Sequence, residues 1–89
     1  MIEKSIYIQN KLGLHARSAS AFVKVAKNFS SKINVANQYA NADGKSIMSM
    51  MLLQAAYGTT IQLSVDGVDE EAAICALTAL IDDKFGESE

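Results

Sequence analysis

The chain has a single histidine, His15, in the stretch Gly13-Leu14-His15-Ala16-Arg17-Ser18-Ala19. Immediately downstream, Ala16, Ala19, Phe22, Val23 and Ala26 recur at intervals of three and four, the spacing of one helix face. His15 is therefore expected at a helix N-terminus or one residue outside it. Backbone N–H groups there lack partners, and the aligned peptide dipoles leave about half a positive charge. The first-turn amides of Ala16, Arg17 and Ser18 suit an anion, and the Arg17 guanidinium adds a fork of donors matched to phosphate oxygens.

A histidine facing such a site has few uses. The plainest is to cap the helix. A metal site needs several ligands at compatible spacing, whereas this chain has one His and one Cys far apart, so no metal is expected. A Ser-His-Asp arrangement stays open on sequence alone. However, no nucleophile-elbow pattern is present, and 89 residues leave little room for a substrate pocket. The remaining use is the imidazole as nucleophile, carrying a phosphoryl group held by Arg17 and the helix amides. An imidazole nitrogen that bears a lone pair is able to attack phosphorus.

The elements around this stretch follow from periodicity. Residues 2 to 8 read as a strand with Ile2, Ile6 and Ile8 on one side and Glu3, Ser5 and Tyr7 on the other. Gln9-Asn10-Lys11 and Gly13 form the loop that delivers His15 to a helix of about residues 16 to 27, with Lys24 and Lys27 on its exposed side. Ile33 and Val35 mark a short half-buried strand. A turn at Asn37-Gln38 leads into a weak one over residues 39 to 42. Asp43-Gly44-Lys45 turns, and Ser46 is placed to cap a second helix over residues 47 to 57, stopped by Gly58. Residues 60 to 65 alternate cleanly, with Ile61, Leu63 and Val65 inward. Asp69, Glu70 and Glu71 crowd acid into the first turn of a third helix, where the dipole favours it. Its expected buried stripe is Ala73, Leu77, Leu80 and Ile81, with Cys75 a small core residue and Gly86 the stop; the tail Glu87-Ser88-Glu89 is expected to be loose. Strands with one apolar face suit an antiparallel sheet carrying its helices on one side, an α+β fold.

Composition narrows the function classes. Eighty-nine residues, nearly half of them apolar, fit one domain over the whole chain, with enough core to fold unstapled. A net charge of −2 with eight scattered basic residues gives no nucleic-acid surface. No apolar run reaches membrane-spanning length and no signal peptide is evident, so the expected location is the cytoplasm.

Gly13-Leu14-His15-Ala16-Arg17, followed by Gly44-Lys45-Ser46-Ile47-Met48, resembles the histidine-containing phosphocarrier (HPr) family of the bacterial phosphotransferase system. The similarity covers essentially the whole chain in length and element order. It implies an open-faced β-sandwich of four antiparallel strands and three helices in the order βαββαβα. It further implies that His15 accepts a phosphoryl group at Nδ1 from enzyme I, itself charged by phosphoenolpyruvate, and passes it to a histidine of an enzyme IIA protein. The chain would then be a monomeric phosphoryl carrier rather than a stand-alone enzyme, with no metal or organic cofactor.

Three further features gain meaning from the resemblance. Ser46 as a helix cap is worth about 1 kcal/mol. In many relatives the matching serine is phosphorylated by an ATP-dependent HPr kinase/phosphorylase, and a phosphate there would place about two negative charges beside a docking surface. The second helix carries Met48, Met50 and Met51. Methionines at helical spacing are usually core filler, but Ile47, Met48, Met50, Met51, Leu52 and Leu53 cannot all face inward. Met50 and Leu53 are assigned to the core. Ile47, Met48 and Met51 become an exposed docking patch rimmed by Lys24 and Lys27, which could equally be solvated helix charge. Finally, Ser18 stands where the family usually has proline, a residue suited to a first helical turn. Serine there implies either a less preorganised turn or one extra hydrogen bond to the phosphoryl group.

Two rivals stand beside the carrier reading: a regulatory adaptor acting mainly through Ser46, and a small enzyme using His15 as general base. The presence of the histidine argues against the first, and the lack of a second titratable partner within the motif against the second. Of the family's two branches, sugar uptake and nitrogen-linked regulation, the segment Leu52-Leu53-Gln54-Ala55-Ala56 and the acidic tail lean towards the latter.

Overall fold

The computed structural model describes residues 1 to 86. Its elements run β1 (Ile2–Tyr7), α1 (Ala16–Ala26), β2 (Lys32–Ala36), β3 (Asn41–Asp43), α2 (Ile47–Leu52), β4 (Thr60–Asp66) and α3 (Glu70–Asp82), followed by a 3-10 turn at Lys84–Gly86. The tail at Glu87-Ser88-Glu89 lies outside the described residues.

Alternation along the strands dictates the sheet. All pairs are antiparallel and the order is β1-β4-β2-β3, so the strand with the cleanest alternation, β4, is central. In register, Ile6 faces Ile61, Val35 faces both Leu63 and Ala42, and Ile33 faces Val65. These side chains line one face and are buried there with Phe22, Val23, Met50, Leu77 and Ile81 from the helices. A strand's period of two sends the intervening residues to the other, polar face, where the Ser5 hydroxyl donates to Gln62 Oε1 at 2.8 Å. The result is an open-faced α+β sandwich, four strands under three helices.

The helices depart from expectation in particular places. α2 stops at Leu52, well short of residue 57. Gln54 adopts a left-handed backbone (φ 53°), Asn37 Nδ2 donates to Leu53 O at 2.9 Å, and Leu14 N–H donates to Ala55 O at 2.7 Å. Leu53 O, which would have accepted Tyr57 N–H in a continued helix, is thus drawn off by Asn37. Gly58 is left-handed (φ 85°), but in a later turn rather than as a helix stop. α3 ends at Asp82, not at Gly86; Lys84 and Phe85 turn left-handed so that the Phe85 ring folds back into the core. Cys75 is exposed rather than buried. At 100° per residue it points well away from a stripe made of Ala73, Ile74, Leu77 and Ile81, and Leu80 is only partly buried.

Asp69 also does something other than serve its own helix. It is the N-cap of α3 but makes no side-chain cap bond. Its carboxylate reaches across to the start of β2, accepting the Ser31 hydroxyl, Ser30 N–H at 2.8 Å and Ser31 N–H at 2.9 Å. Those donors, the Ser31 hydroxyl first, hold its pKa down at about 2 against an ordinary value of 3.8. The carboxylate's contribution is full above the unfolded-state value and disappears as pH falls towards the native one. Stability is therefore expected to drop between about pH 4 and about pH 2, and Asp69→Asn should flatten that limb. Urea midpoints measured against pH check this; parallel curves for the two proteins would contradict it.

Candidate functional site

The loop before α1 is built from backbone hydrogen bonds. Asn10 is fully buried; its Nδ2 donates to Gly13 O at 2.7 Å while Gly13 N–H returns to Asn10 O at 3.0 Å. Gly13 is left-handed (φ 67°), and Leu14 buries its side chain and gives its N–H to Ala55 O. His15 emerges from this as the N-cap of α1, with extended backbone (φ −126°, ψ −176°) and its carbonyl taking Ala19 N–H at 2.7 Å.

The imidazole lies over the helix start. Arg17 N–H donates to His15 Nδ1 at 3.3 Å, so this nitrogen directs its lone pair at the first-turn amides. His15 is half-buried, while Ala16 and Arg17 are exposed. The ring is both a cap and a nucleophile-bearing group at an anion-favouring terminus. Ser18 differs from its neighbours. Its hydroxyl is buried and turned inward, accepting His15 N–H at 2.9 Å and facing Gly13 O and His15 O at 3.1 and 3.2 Å. The side chain therefore points into the loop, not towards an anion above the helix; only its backbone N–H belongs to the first turn.

The other singled-out residues lie further off. Lys45 Nζ donates to Phe29 O at 2.7 Å, which ties the start of α2 to the far end of α1. Ser46, the α2 N-cap whose Oγ accepts Ser49 N–H at 3.3 Å, thus follows a residue whose side chain is anchored beyond the end of α1 opposite His15. From there α2 runs back towards the His15 loop, which it reaches through Ala55. Met50 and Leu53 are buried, whereas Ile47 (40 % exposed), Met48 (75 %) and Met51 (42 %) face out, joined by Leu52 (74 %). Lys24 and Lys27 are exposed on α1. The sequence places Asn10 in this loop but not its buried bond to Gly13 O, nor the bond from Leu14 to Ala55. An Asn three residues before a Gly is a turn signal that could have found the first; nothing local announces the second.

Residues 2–83 match the family model described as the PTS HPr component phosphorylation site. The chain belongs to the HPr family. It is 49 % identical over its full length to the whole of the phosphocarrier protein HPr of Neisseria meningitidis. It is also 37 % identical to the phosphocarrier protein NPr of Shewanella violacea, over 98 % of this chain and 96 % of that one. Among solved structures, an HPr from Thermoanaerobacter tengcongensis superposes over all of both chains with a TM-score of 0.94 at 48 % identity. The function is that of a phosphocarrier of the phosphotransferase system, and HPr-family membership implies partners such as enzyme I and enzyme IIA. Among the described residues, no helix is long and apolar enough to cross a membrane. Nor, among them, is any group of three or more His, Cys, Asp or Glu side chains placed to hold a metal ion.

Proposed function

We propose that His15 Nδ1 is the atom that carries the phosphoryl group, taking it from phosphorylated enzyme I and yielding it to a histidine of an enzyme IIA protein. The observation that carries this reading is the 3.3 Å contact from Arg17 N–H to Nδ1, which aims that nitrogen's lone pair at the helix start. In the forward step the Nδ1 lone pair attacks phosphorus. A P–N bond forms, the bond from phosphorus to the donor atom breaks, and its electron pair leaves with the donor. The Arg17 contact is long, so giving it up costs little, and the freed N–H then faces the phosphoryl oxygens beside the Arg17 guanidinium. In the hand-over a nitrogen of the IIA histidine attacks phosphorus, the P–Nδ1 bond breaks, and its electron pair returns to His15. Incubation with enzyme I and phosphoenolpyruvate tests this: one acid-labile phosphate per chain supports a carrier. Labelling only with ATP and a kinase, or turnover of a small molecule, would contradict it.

In the same reading Ile47, Met48 and Met51 form the docking face, rimmed by Lys24 and Lys27, and a phosphate on Ser46 regulates docking by charge. Both ideas predict one kinetic signature. Met48→Asp and Ser46→Asp should each raise KM for transfer from enzyme I, by about tenfold for the more exposed methionine, with kcat little changed. Unchanged KM in Met48→Asp removes the docking face. Failure of an HPr kinase to add mass at Ser46 removes the regulatory site. The carrier acts as a monomer, which a one-chain mass by light scattering checks. Which enzyme I and which IIA protein exchange phosphate with it distinguishes the sugar-uptake from the nitrogen-linked branch.

A further inference from the structure

The three polar contacts of one buried hydroxyl bear on how the acceptor ring is held. Ser18 is 1 % exposed, so its Oγ is beyond reach of any ligand above the helix, and it is committed to the backbone of the loop. It accepts His15 N–H at 2.9 Å, and its single proton is shared between Gly13 O at 3.1 Å and His15 O at 3.2 Å. Gly13 O is fixed from a second side by Asn10 Nδ2 at 2.7 Å. With Ala19 N–H on His15 O at 2.7 Å, both backbone polar groups of His15 are pinned, and with them the direction in which its side chain leaves the chain.

We infer that Ser18 is a positioning residue for phosphoryl transfer: its hydroxyl clasps residues 13 to 15 from below and so holds His15 Nδ1 over the helix amides. The inference rests on the carrier reading of His15. A group that must present one lone pair to an incoming phosphorus gains from support beneath it, because a displacement of about 1 Å at the reacting atom is enough to slow a reaction markedly. Without the hydroxyl, His15 N–H loses its acceptor, the extended conformation of His15 is no longer enforced, and Nδ1 drifts from Arg17 N–H. The docking face on α2 is untouched by that change.

The experiment compares the wild-type chain with Ser18→Ala in transfer from phosphorylated enzyme I, with amide hydrogen exchange as a second readout. Ser18→Ala is expected to lower kcat on the order of tenfold with KM within about twofold. A merely structural defect would instead reduce the folded fraction, seen in thermal melts and as a raised apparent KM. In the wild-type chain the His15 amide should be protected from exchange, and in Ser18→Ala it should exchange like an open loop. An unchanged kcat in folded Ser18→Ala overturns the inference. So does an unprotected His15 amide in the wild type, a result that needs no variant to fold. If the wild-type chain takes no phosphate from enzyme I, the carrier reading fails on its own evidence, while a protected His15 amide still locates the clasp.

Discussion

His15→Ala is expected to take up no stable phosphate from enzyme I while remaining folded. The chain contains no other histidine, so no second imidazole can inherit the role. Alanine removes the nucleophile and also the acceptor for Arg17 N–H, and losing a helix cap costs about 1 kcal/mol. That is a small part of the roughly 5–15 kcal/mol typical of a domain, so the variant should fold. His15→Asn separates the two roles. Asparagine caps helices well, so this variant should match the wild type in thermal stability yet carry no phosphohistidine. Intact-mass measurement and a melting curve on each variant decide the matter. Phosphate uptake by either variant would mean that the acceptor lies elsewhere.

Gly13→Ala should be the most damaging single methyl group near the site. The glycine sits at φ 67°, and left-handed backbone costs an L-residue about 1–2 kcal/mol. A Cβ built there would lie 2.6 Å from Ala55 O, 3.0 Å from Ala56 Cα and 3.1 Å from Tyr57 N, all backbone atoms with no rotamer to escape into. Ala55 O is also the acceptor for Leu14 N–H, so forcing it away breaks the tether beside His15. Strain and the broken bond together are expected to cost about 3 kcal/mol, a melting temperature lower by about 15 °C for a domain of this size. Phosphoryl acceptance should slow as well, since the loop can no longer hold His15 in its extended conformation. A melting temperature within a few degrees of wild type would show that the close approach at Gly13 relaxes freely.

What the sequence revealed and what it concealed divide along local and distant causes. The strands were legible because Ile61, Leu63 and Val65, and Ile33 and Val35, alternate with polar residues, and that pattern alone fixes which face meets the helices. The start of α1 was legible from the apolar spacing after His15, and the split of α2 into buried Met50 and Leu53 and exposed Met48 followed from helical geometry. The end of α2 was not. Apart from Gln54, apolar and small residues run on through Tyr57 to a glycine, yet Gln54 turns left-handed and Asn37, distant in sequence, claims Leu53 O. Asp69 is the same case. An acid in a helix's first turn reads as a dipole partner, but two serines 38 and 39 residues earlier claim its carboxylate. Ser18 was ambiguous for a local reason, because a hydroxyl in a first turn can point up to a ligand or back to the preceding loop. Cys75 shows that apolar neighbours in sequence do not make a residue buried; its angular position on α3 does.

The central claim is that His15 receives and surrenders the same phosphoryl group, and the most direct measurement is a relay. The chain is charged with labelled phosphate from enzyme I, freed of donor, and mixed with an excess of enzyme IIA. Label mapped to His15 Nδ1 should leave the chain and arrive on the IIA histidine in equal amount. Label that maps to another residue, or that remains on the chain while IIA stays unlabelled, would contradict the account.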